Sequence, residues 1–393
     1  MKKKICLITG MALIFVCLCS CWDYRSLSRM TIVAGIAVDQ SDADPEKYLL
    51  TFETIDDKNI KAEGLFSDLV KAEGGTIAEA IFSARKQLKS ELYLGNTEII
   101  LISKAVAQNG IGEIVDTFLR NVGTRETLSL IIADSEKAYD IFETDANDIV
   151  MSYIINKSFN ESYPTSDSIH WEHLFDIYDD LCEGIRSLTL PVIRRGGEDG
   201  DIGSNGMAIF DGDKMAGQME EWQKPYYALI MDAVKDGSFV CFIDGYKDFP
   251  DDQDEGKSLK LSLRIRKTVP KISVEEKDGK YTLVFKLFMP SNVIDIFPGI
   301  GGMNTKNMLM LGGYASLALN QEIEKIVKYH QRRLGLDIFG FGESIYRNDP
   351  GHWNQIKDDW GEIFKKADVS ADTQIVLRDA GMMKDFGGGR GVS

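Results

Sequence analysis

The sequence predicts a mixed α/β fold of the α+β kind, a multi-lobed body in which mixed sheets pack against helices. Strand-like runs at 31–38 and 48–55 flank a polar turn and predict a hairpin. Short apolar strands then alternate with helical segments, which favours a sheet covered by helices on one face. The 393 residues are 44% hydrophobic and 27% charged, as expected of a folded globular protein.

The N-terminus precedes this body with a targeting signal. Three lysines at 2–4 are followed by an apolar run at 5–18 that is too short to span a bilayer as a helix. Residues 1–20 are therefore predicted to be a signal peptide that is removed. Leu18-Cys19-Ser20-Cys21 resembles a lipobox, so Cys21 is the predicted lipidation site, an S-diacylglycerol cysteine whose amino group is open to acylation by a fatty acid such as palmitate. An ordinary secreted protein cut near Ser20 is the alternative.

The first half of the body continues with a helix that begins after Thr76. Glu79 completes a capping-box pattern, and the apolar residues recur at helical spacing. These apolar residues are Ile77, Ala80, Ile81, Ala84 and Leu88. A strand at 98–103, a helix at 112–120 and a strand at 127–133 follow.

A mainly helical stretch at 135–181 and a strand at 188–193 complete this half. Because Pro191 lacks an N–H group, the strand is predicted to lie at a sheet edge.

The second half begins beyond a glycine-rich stretch at 194–206, which is the best linker candidate. Asp211-Gly212-Asp213 predicts the turn of a second hairpin. Further elements are predicted at 221–234 (helix), 239–243 (strand), 258–270 and 281–290 (two paired strands), 312–334 (helix ending at Gly335), from Asp349-Pro350 (helix) and 373–378 (strand).

Composition breaks predict the domain boundaries. We expect an N-terminal α/β domain at 21–198 and a C-terminal α/β domain at 199–380, the latter with an acidic break at 248–257 that could divide it into two lobes. The glycine-rich end, 381–393, lacks apolar residues and is predicted to be a flexible tail.

The charge of the body excludes some classes of partner. The formal net charge is −16, and loss of the three lysines at 2–4 with the signal peptide makes it −19. An acidic body of this kind does not attract nucleic acid, nor does its net charge bind it to anionic lipid, so the lipid must anchor it. Only Cys182 and Cys241 remain beyond Cys21, and whether they form a disulfide stays open.

Catalytic and cofactor motifs are scarce. Ser83-Ala84-Arg85-Lys86 matches the first element of penicillin-binding enzymes, but the chain lacks the SDN and KTG elements. His170 and His173 do not have the spacing of a zinc helix motif, and His330 is expected to be a hydrogen-bonded core histidine. Gly299-Ile300-Gly301-Gly302 lacks the continuation of a phosphate loop. We therefore expect no enzyme activity, no cofactor and no metal site.

Four blocks of residues, in order, resemble the Ger(x)C family of spore-forming bacteria. At the front is Cys21-Trp22-Asp23, with Arg25 and Leu27. The other blocks are Leu94-Gly95-Asn96 with Gly110-Ile111 and Phe118-Leu119-Arg120, then Gly206-Met207-Ala208-Ile209-Phe210 with Asp213-Lys214-Met215, and finally Leu336-Asp337-Ile338-Phe339-Gly340-Phe341-Gly342 with Pro350, Trp353 and Trp360. Ser20, Ser26 and Asn96 depart from the usual glycine, acid and histidine, which leaves the subfamily open.

The resemblance implies a lipoprotein C subunit of a nutrient germinant receptor, required for germination and without catalysis. It further implies integral-membrane partners of the A and B types and a location on the outer face of the cytoplasmic membrane, which in spores is the inner membrane. Direct nutrient binding, the nutrient itself, the partner interface and the oligomeric state stay open. The alternative is a solute-binding lipoprotein of a membrane transporter, whose cleft the linker at 194–206 would allow.

Overall fold

The computed structural model describes residues 30–55, 66–120, 123–143, 149–161, 172–196, 201–232, 234, 237–245, 258–298 and 304–378. Cys21, His170, the acidic segment at 248–257, the loop at 299–303 and the tail at 381–393 lie outside these ranges.

The described strands are β1 (Met30–Gln40), β2 (Tyr48–Ile55), β3 (Ser67–Gly74), β4 (Glu91–Tyr93), β5 (Ile99–Ser103), β6 (Ser129–Ala133), β7 (Thr189–Gly196), β8 (Asp201–Asp211), β9 (Lys214–Gln218), β10 (Ser238–Ile243), β11 (Leu259–Ile265), β12 (Val269–Lys277), β13 (Lys280–Phe297) and β14 (Asp368–Leu377). The described α-helices are α1 (Ile77–Leu88), α2 (Lys104–Asn109), α3 (Gly112–Arg120), α4 (Met151–Asn156), α5 (Leu174–Glu183), α6 (Lys224–Ile230), α7 (Thr305–Arg333), α8 (Phe341–Asn348), α9 (Pro350–Ile356) and α10 (Trp360–Lys366). The predicted α+β class, with mixed sheets against helices, is confirmed.

Nine of the described strands form the first sheet, in the order β3-β2-β1-β5-β6-β7-β8-β9, with β4 beside β1. The predicted first hairpin is confirmed, since β1 and β2 pair antiparallel from Ile32↔Ile55 to Gln40↔Tyr48. The central strands β1, β5, β6 and β7 are mutually parallel, whereas both flanks are antiparallel. The sheet is therefore mixed.

Both faces of this sheet are covered, and the expectation of one covered face is wrong. All five residues of β5 are buried. Ile100 and Ile102 pack in a core with α1, α3 and α5, whereas Ile99 and Leu101 pack in a second core with Phe142 and α4. Because side chains alternate along a strand, an unbroken apolar run requires cover on both sides.

The sequence signals for α1 hold in detail. Thr76 is the N-cap, and its hydroxyl accepts the backbone N–H of Glu79 at 3.1 Å. The Glu79 carboxylate accepts the N–H of Gly75 at 2.8 Å. The predicted apolar face is buried from Ile77 to Ala84. Local capping chemistry and periodicity were sufficient to predict this helix.

The linker predicted at 194–206 is wrong where the structure describes it. Residues 194–196 continue β7, and residues 201–206 belong to β8, which pairs with β7. The edge position predicted for Pro191 is also wrong, since β7 lies between β6 and β8. A register shift between Pro191 and Ile193 lets the strand accommodate a residue without an N–H donor.

Strand β8 joins the two halves of the molecule. The hairpin β8–β9, turning at the predicted Asp211-Gly212-Asp213, is part of the first sheet. Ala208 and Phe210 pack in the core under α1, whereas Met207 and Ile209 pack in the core of the second sheet. Sheet and core thus continue across the sequence boundary at 198/199.

The second described sheet has the order β10-β11-β13-β12, with β14 parallel to β13. Strands β11 and β12 follow each other along β13, from Lys260↔Phe297 to Lys277↔Lys280, so the predicted pair is one long hairpin broken at 266–268. Strands β10 and β11 flank the acidic segment and pair with each other. That segment therefore connects neighbouring strands of one sheet.

Helix α7 packs across this sheet and supplies Leu311, Ala315, Leu319 and Ile323 to its core. It ends where predicted, with Gly335 in the left-handed region at φ 69°. The predicted helix from Asp349-Pro350 is divided into α9 and α10, and Trp353 and Trp360 from these helices are buried.

Candidate functional site

The segment between α7 and α8 carries the most recognisable family block and forms a tight turn around Asp337. The Asp337 side chain is only 4% exposed. Its Oδ1 accepts the backbone N–H groups of Phe339 at 3.2 Å and Gly340 at 3.0 Å. Its Oδ2 accepts the N–H of Gly342 at 2.7 Å and the indole N–H of Trp360 at 3.2 Å. Burial raises the pKa of Asp337, against the lowering effect of these hydrogen bonds.

Aromatic rings enclose this turn. The rings of Trp353 and Trp360 meet edge to face with centroids 5.8 Å apart. A Cβ atom added to Gly342 would lie 2.8 Å from the indole nitrogen of Trp360 and 3.0 Å from the Trp353 ring. Glycine is therefore required at 342, because the two rings occupy the space of a side chain.

The same turn is hydrogen-bonded to the first sheet. The backbone N–H of Ser187, just before β7, donates to the carbonyl of Asp337 at 2.9 Å. The buried hydroxyl of Tyr227 donates to the carbonyl of Ile338 at 3.3 Å and lies 2.9 Å from the hydroxyl of Thr189 in β7. We call this region, residues 186–189, Tyr227 and 336–342, the junction.

A group of charged side chains borders the junction. The guanidinium of Arg186 is paired with the carboxylates of Glu172 and Asp180. Burial raises the pKa of Asp180 to about 6, and Glu172 and Glu343 act in the same direction, although Arg186 lowers it. One cation thus holds two carboxylates beside the turn. No sequence motif signals this group, because Glu172, Asp180 and Arg186 meet only when the chain folds back after α5.

A second contact ties the β8–β9 turn to α3. The N–H of Ile111 donates to the carbonyl of Asp213 at 2.9 Å, and the N–H of Gly112 donates to its carboxylate at 3.3 Å. Gly110, at φ 131°, approaches that carboxylate so closely that a Cβ atom would lie 2.6 Å away. Two sequence blocks that are a hundred residues apart therefore meet here, in a structural contact.

The remaining sequence candidates are dispersed. Ser83 and Lys86 lie on α1, with Ala84 between them in the core. His173 is half-buried at the start of α5. Cys182 is exposed and Cys241 is buried, and both are free thiols, so they do not form a disulfide. Burial raises the pKa of the Cys241 thiol to about 12.

His330 is a core residue, as expected, but the predicted hydrogen bond is wrong. The side chain is 1% exposed, and neither ring nitrogen has a hydrogen-bond partner among the described residues. The rings of Tyr329 and Phe339 lie against it, with centroids 5.3 and 5.7 Å away. Burial, aided by Arg333, lowers its pKa to about 4, so the imidazole is neutral at pH 7.

The described residues were searched for metal-binding groups and for membrane-spanning helices. They contain no group of three or more His, Cys, Asp or Glu side chains placed to hold a metal ion. None of their helices has both the length and the apolar character needed to cross a bilayer.

Comparison with known proteins identifies the two halves of the chain. Residues 23–195 match the spore germination protein N-terminal domain. Residues 205–381 match the family described as spore germination B3/GerAC like, C-terminal.

Relatives and a solved structure extend over nearly the whole chain. Spore germination protein KC of Bacillus subtilis (strain 168) is 23% identical, over 95% of this chain and 96% of the relative. Spore germination protein A3 of the same organism is also 23% identical, over 93% and 96%. The crystal structure of the GerBC protein shares the fold at a TM-score of 0.55 and 16% identity, covering 87% of this chain and 96% of that one.

These matches show that the chain is similar to spore germination proteins and consists of two joined α+β modules, residues 23–195 and residues 205–381. The resemblance seen in the sequence is confirmed: the chain belongs to the Ger(x)C family, the family of germinant receptor C subunits.

Proposed function

We propose that the chain is a lipid-anchored C subunit of a nutrient germinant receptor and acts without catalysis. The observation that carries this proposal is its match to both Ger(x)C domains together with nearly full-length similarity to spore germination proteins. In this proposal residues 1–20 are removed and Cys21 is acylated. The body is then held on the outer face of the cytoplasmic membrane, which in a spore is the inner membrane.

The partners in this proposal are integral-membrane subunits of the A and B types. Confinement by lipid raises the local concentration of the body beside them, so a modest protein interface suffices. The junction supports such a role, because the two modules share β8 and the hydrogen bonds of Ser187 and Tyr227. The partners would then meet surfaces in a fixed spatial relation.

The use of buried acids supports a non-catalytic body. Asp337 accepts hydrogen bonds from its own turn. Asp39 accepts the N–H of Ala138 at 2.7 Å, and Glu53 accepts the N–H of Met151 at 2.6 Å. Each of these carboxylates satisfies backbone donors that burial would otherwise leave unpaired, which is a structural task.

The solute-binding alternative has lost its main support. It needs a cleft between two lobes, which a linker at 194–206 would allow, yet β7 and β8 pair through the described part of that segment. A screen of the chain against amino acids, sugars and nucleosides tests it, because a solute receptor is stabilised by its ligand as RT ln(1 + [L]/Kd). A concentration-dependent rise in Tm with one solute class would favour the alternative.

Replacement of the acylated cysteine tests the proposed anchor. We expect Cys21→Ala to move the protein from the membrane to the soluble fraction and to impair nutrient-triggered germination. Each buried methylene of the acyl chains is worth about 0.8 kcal/mol, and nothing replaces them. Cell fractionation and the fall in optical density of spores after nutrient addition are the measurements.

The matched control is Cys182→Ser, which removes an exposed thiol far along the chain from the anchor. This variant should remain in the membrane and germinate normally. Normal membrane retention of Cys21→Ala would contradict the proposed anchor.

A further inference from the structure

The solvent-facing side of α1 carries an unusual stripe of residues. Phe82, Arg85 and Lys86 are exposed and spaced at i, i+3 and i+4, which places them on one face of the helix. Lys89, which is also exposed, is the C-cap residue directly after the helix. Phe82 is 67% exposed, although it is a large apolar side chain. We call these four residues the α1 stripe. A hydrophobic ring among cations is typical of helices that lie on a membrane surface.

The cations of the α1 stripe have no ion-pair partner within the described part of the chain. Arg85, Lys86 and Lys89 form no ion pair with any described residue. The lysines of α7 differ, since Lys325 pairs with Glu322 at 2.9 Å and Lys328 with Glu324 at 3.1 Å. The α1 stripe is thus a local positive surface on a chain whose net charge is −16.

The stripe ends where the chain enters the fold. Lys89 precedes Ser90, whose hydroxyl lies 2.6 Å from that of Thr31 in β1. Met30, the first residue of β1, pairs with Glu91. Cys21 is nine residues before Met30, a distance that an extended chain spans in at most about 30 Å. An acyl chain on Cys21 therefore keeps the end of α1 within about 30 Å of the bilayer surface.

The opposite end of the same sheet is weakly acidic. The turn between β1 and β2 carries Asp42, Asp44 and Glu46, but Asp44 pairs with Lys47 and Asp42 pairs with Lys137. Helix α1 begins at this end, since Gly74 pairs with Tyr48. An anionic surface does not attract this end, whereas it attracts the other. The two ends together favour one orientation of the tethered body.

We propose that the α1 stripe lies on the anionic phospholipid surface to which the chain is tethered, with Phe82 among the headgroups. This inference rests on the proposed anchor at Cys21. Each basic residue near an anionic surface is worth roughly fivefold in the population of the bound orientation. Three such residues, together with the phenyl ring of Phe82 inserted among the headgroups, determine the orientation of the tethered body without any protein partner.

The test uses the full lipidated chain in vesicles of phosphatidylcholine, with or without phosphatidylglycerol. A fluorescent label is placed on Phe82→Cys in a Cys182→Ser background, where Cys241 stays buried and unlabelled. Headgroup spin-labelled lipid should quench this label at least about twofold more strongly when phosphatidylglycerol is present. A label on Glu46→Cys, at the acidic end, should show no such increase.

A charge-matched pair of variants tests the cations. Arg85→Gln, Lys86→Gln and Lys89→Gln together should abolish the lipid-dependent quenching. The same change in net charge on the other module, Lys325→Gln, Lys328→Gln and Lys366→Gln, should leave it intact. Quenching that survives loss of the stripe cations would overturn the proposal.

Flotation of the vesicles distinguishes a failure of the proposed anchor from a failure of the proposed orientation. A chain that floats but shows no quenching at position 82 keeps its anchor and overturns the orientation proposed here. A chain that does not float overturns both. Quenching that requires added A-type and B-type proteins would assign the stripe to a protein partner and equally overturn the lipid assignment.

Discussion

The junction and the α1 stripe are opposites in how they use charge. At the junction, the carboxylate of Asp337 is buried and accepts four hydrogen bonds from its own turn and from Trp360. On the α1 stripe, three cations are exposed and have no ion-pair partner among the described residues. A buried charge with complete hydrogen bonding holds a fold together, whereas an exposed, unpaired charge remains available to something outside the chain.

The residues that carry the family resemblance mainly hold the fold together, as those of the junction do. Asp337, Gly342 and Trp360 build one turn, and Gly110 and Asp213 build one contact between α3 and the β8–β9 hairpin. They identify the fold because the fold depends on them. The α1 stripe lies outside the family blocks, so the resemblance says nothing about it.

The largest loss of stability is expected from a substitution at the junction. Asp337→Leu should lower the free energy of unfolding by about 3–5 kcal/mol, since it leaves several buried N–H donors unpaired at roughly 1–3 kcal/mol each. Urea denaturation followed by tryptophan fluorescence measures this directly. Asp337→Asn keeps one acceptor oxygen and should be milder.

The matched control for this prediction is Asp349→Ala. Asp349 likewise accepts a backbone N–H group, that of His352 at 2.9 Å, as the N-cap of α9, but its position is exposed. Loss of an exposed cap should cost about 1 kcal/mol. Equal effects of Asp337→Leu and Asp349→Ala would contradict the special status given to the junction.

A smaller, pH-limited effect is expected at His330. Its pKa is about 4 in the folded chain against 6.5 ordinarily, so only the unfolded chain takes up a proton between these values. Stability is therefore present above pH 6.5 and is lost as pH falls towards 4, by about 2 kcal/mol between pH 7 and pH 5. His330→Phe should remove this part of the pH dependence.

Urea denaturation at pH 7 and pH 5 gives the change in the free energy of unfolding between these two pH values. The parent chain and His330→Phe should differ in this change. Buried acids with raised pKa, such as Asp180 and Glu53, act in the opposite direction and cancel in that difference. His352→Phe serves as the control, because His352 is only half-buried beside Tyr281 and Glu276. An identical pH dependence in all three proteins would refute the role given to His330.

The smallest effect on stability is expected at the α1 stripe. Combined change of Arg85, Lys86 and Lys89 to glutamine should alter the free energy of unfolding by no more than about 0.5 kcal/mol per site, as for exposed positions without partners. Thermal denaturation with circular dichroism measures it. A much larger loss would show that these cations stabilise the fold and are not a free surface, which would break the contrast with the junction.

Sequence reasoning succeeded where the structure is set locally. The Thr76 cap, the Asp211-Gly212-Asp213 turn and the Gly335 stop each depend on a few consecutive residues. It failed where the pairing of strands determines the structure. Strand β3, with the sequence SDLVKAEG, has little apolar alternation and is a strand because β2 offers it an edge.

The junction shows the same limit for the candidate site. The sequence pointed to residues 336–342 as a block but could not show that Ser187 and Tyr227 would bind that block. Likewise, the glycine-rich stretch at 194–206 has the composition of a linker, yet its described residues belong to the ends of β7 and β8, which pair with each other. Long-range pairing is decided by the whole fold, which local composition does not contain.

The central claim is that an acylated Cys21 determines where this body works. Mass spectrometry of the N-terminal peptide from the membrane-bound mature protein tests it most directly. We predict a peptide that begins at Cys21 and carries a diacylglycerol on its thiol. A mature chain that begins elsewhere, or at an unmodified Cys21, would contradict the account.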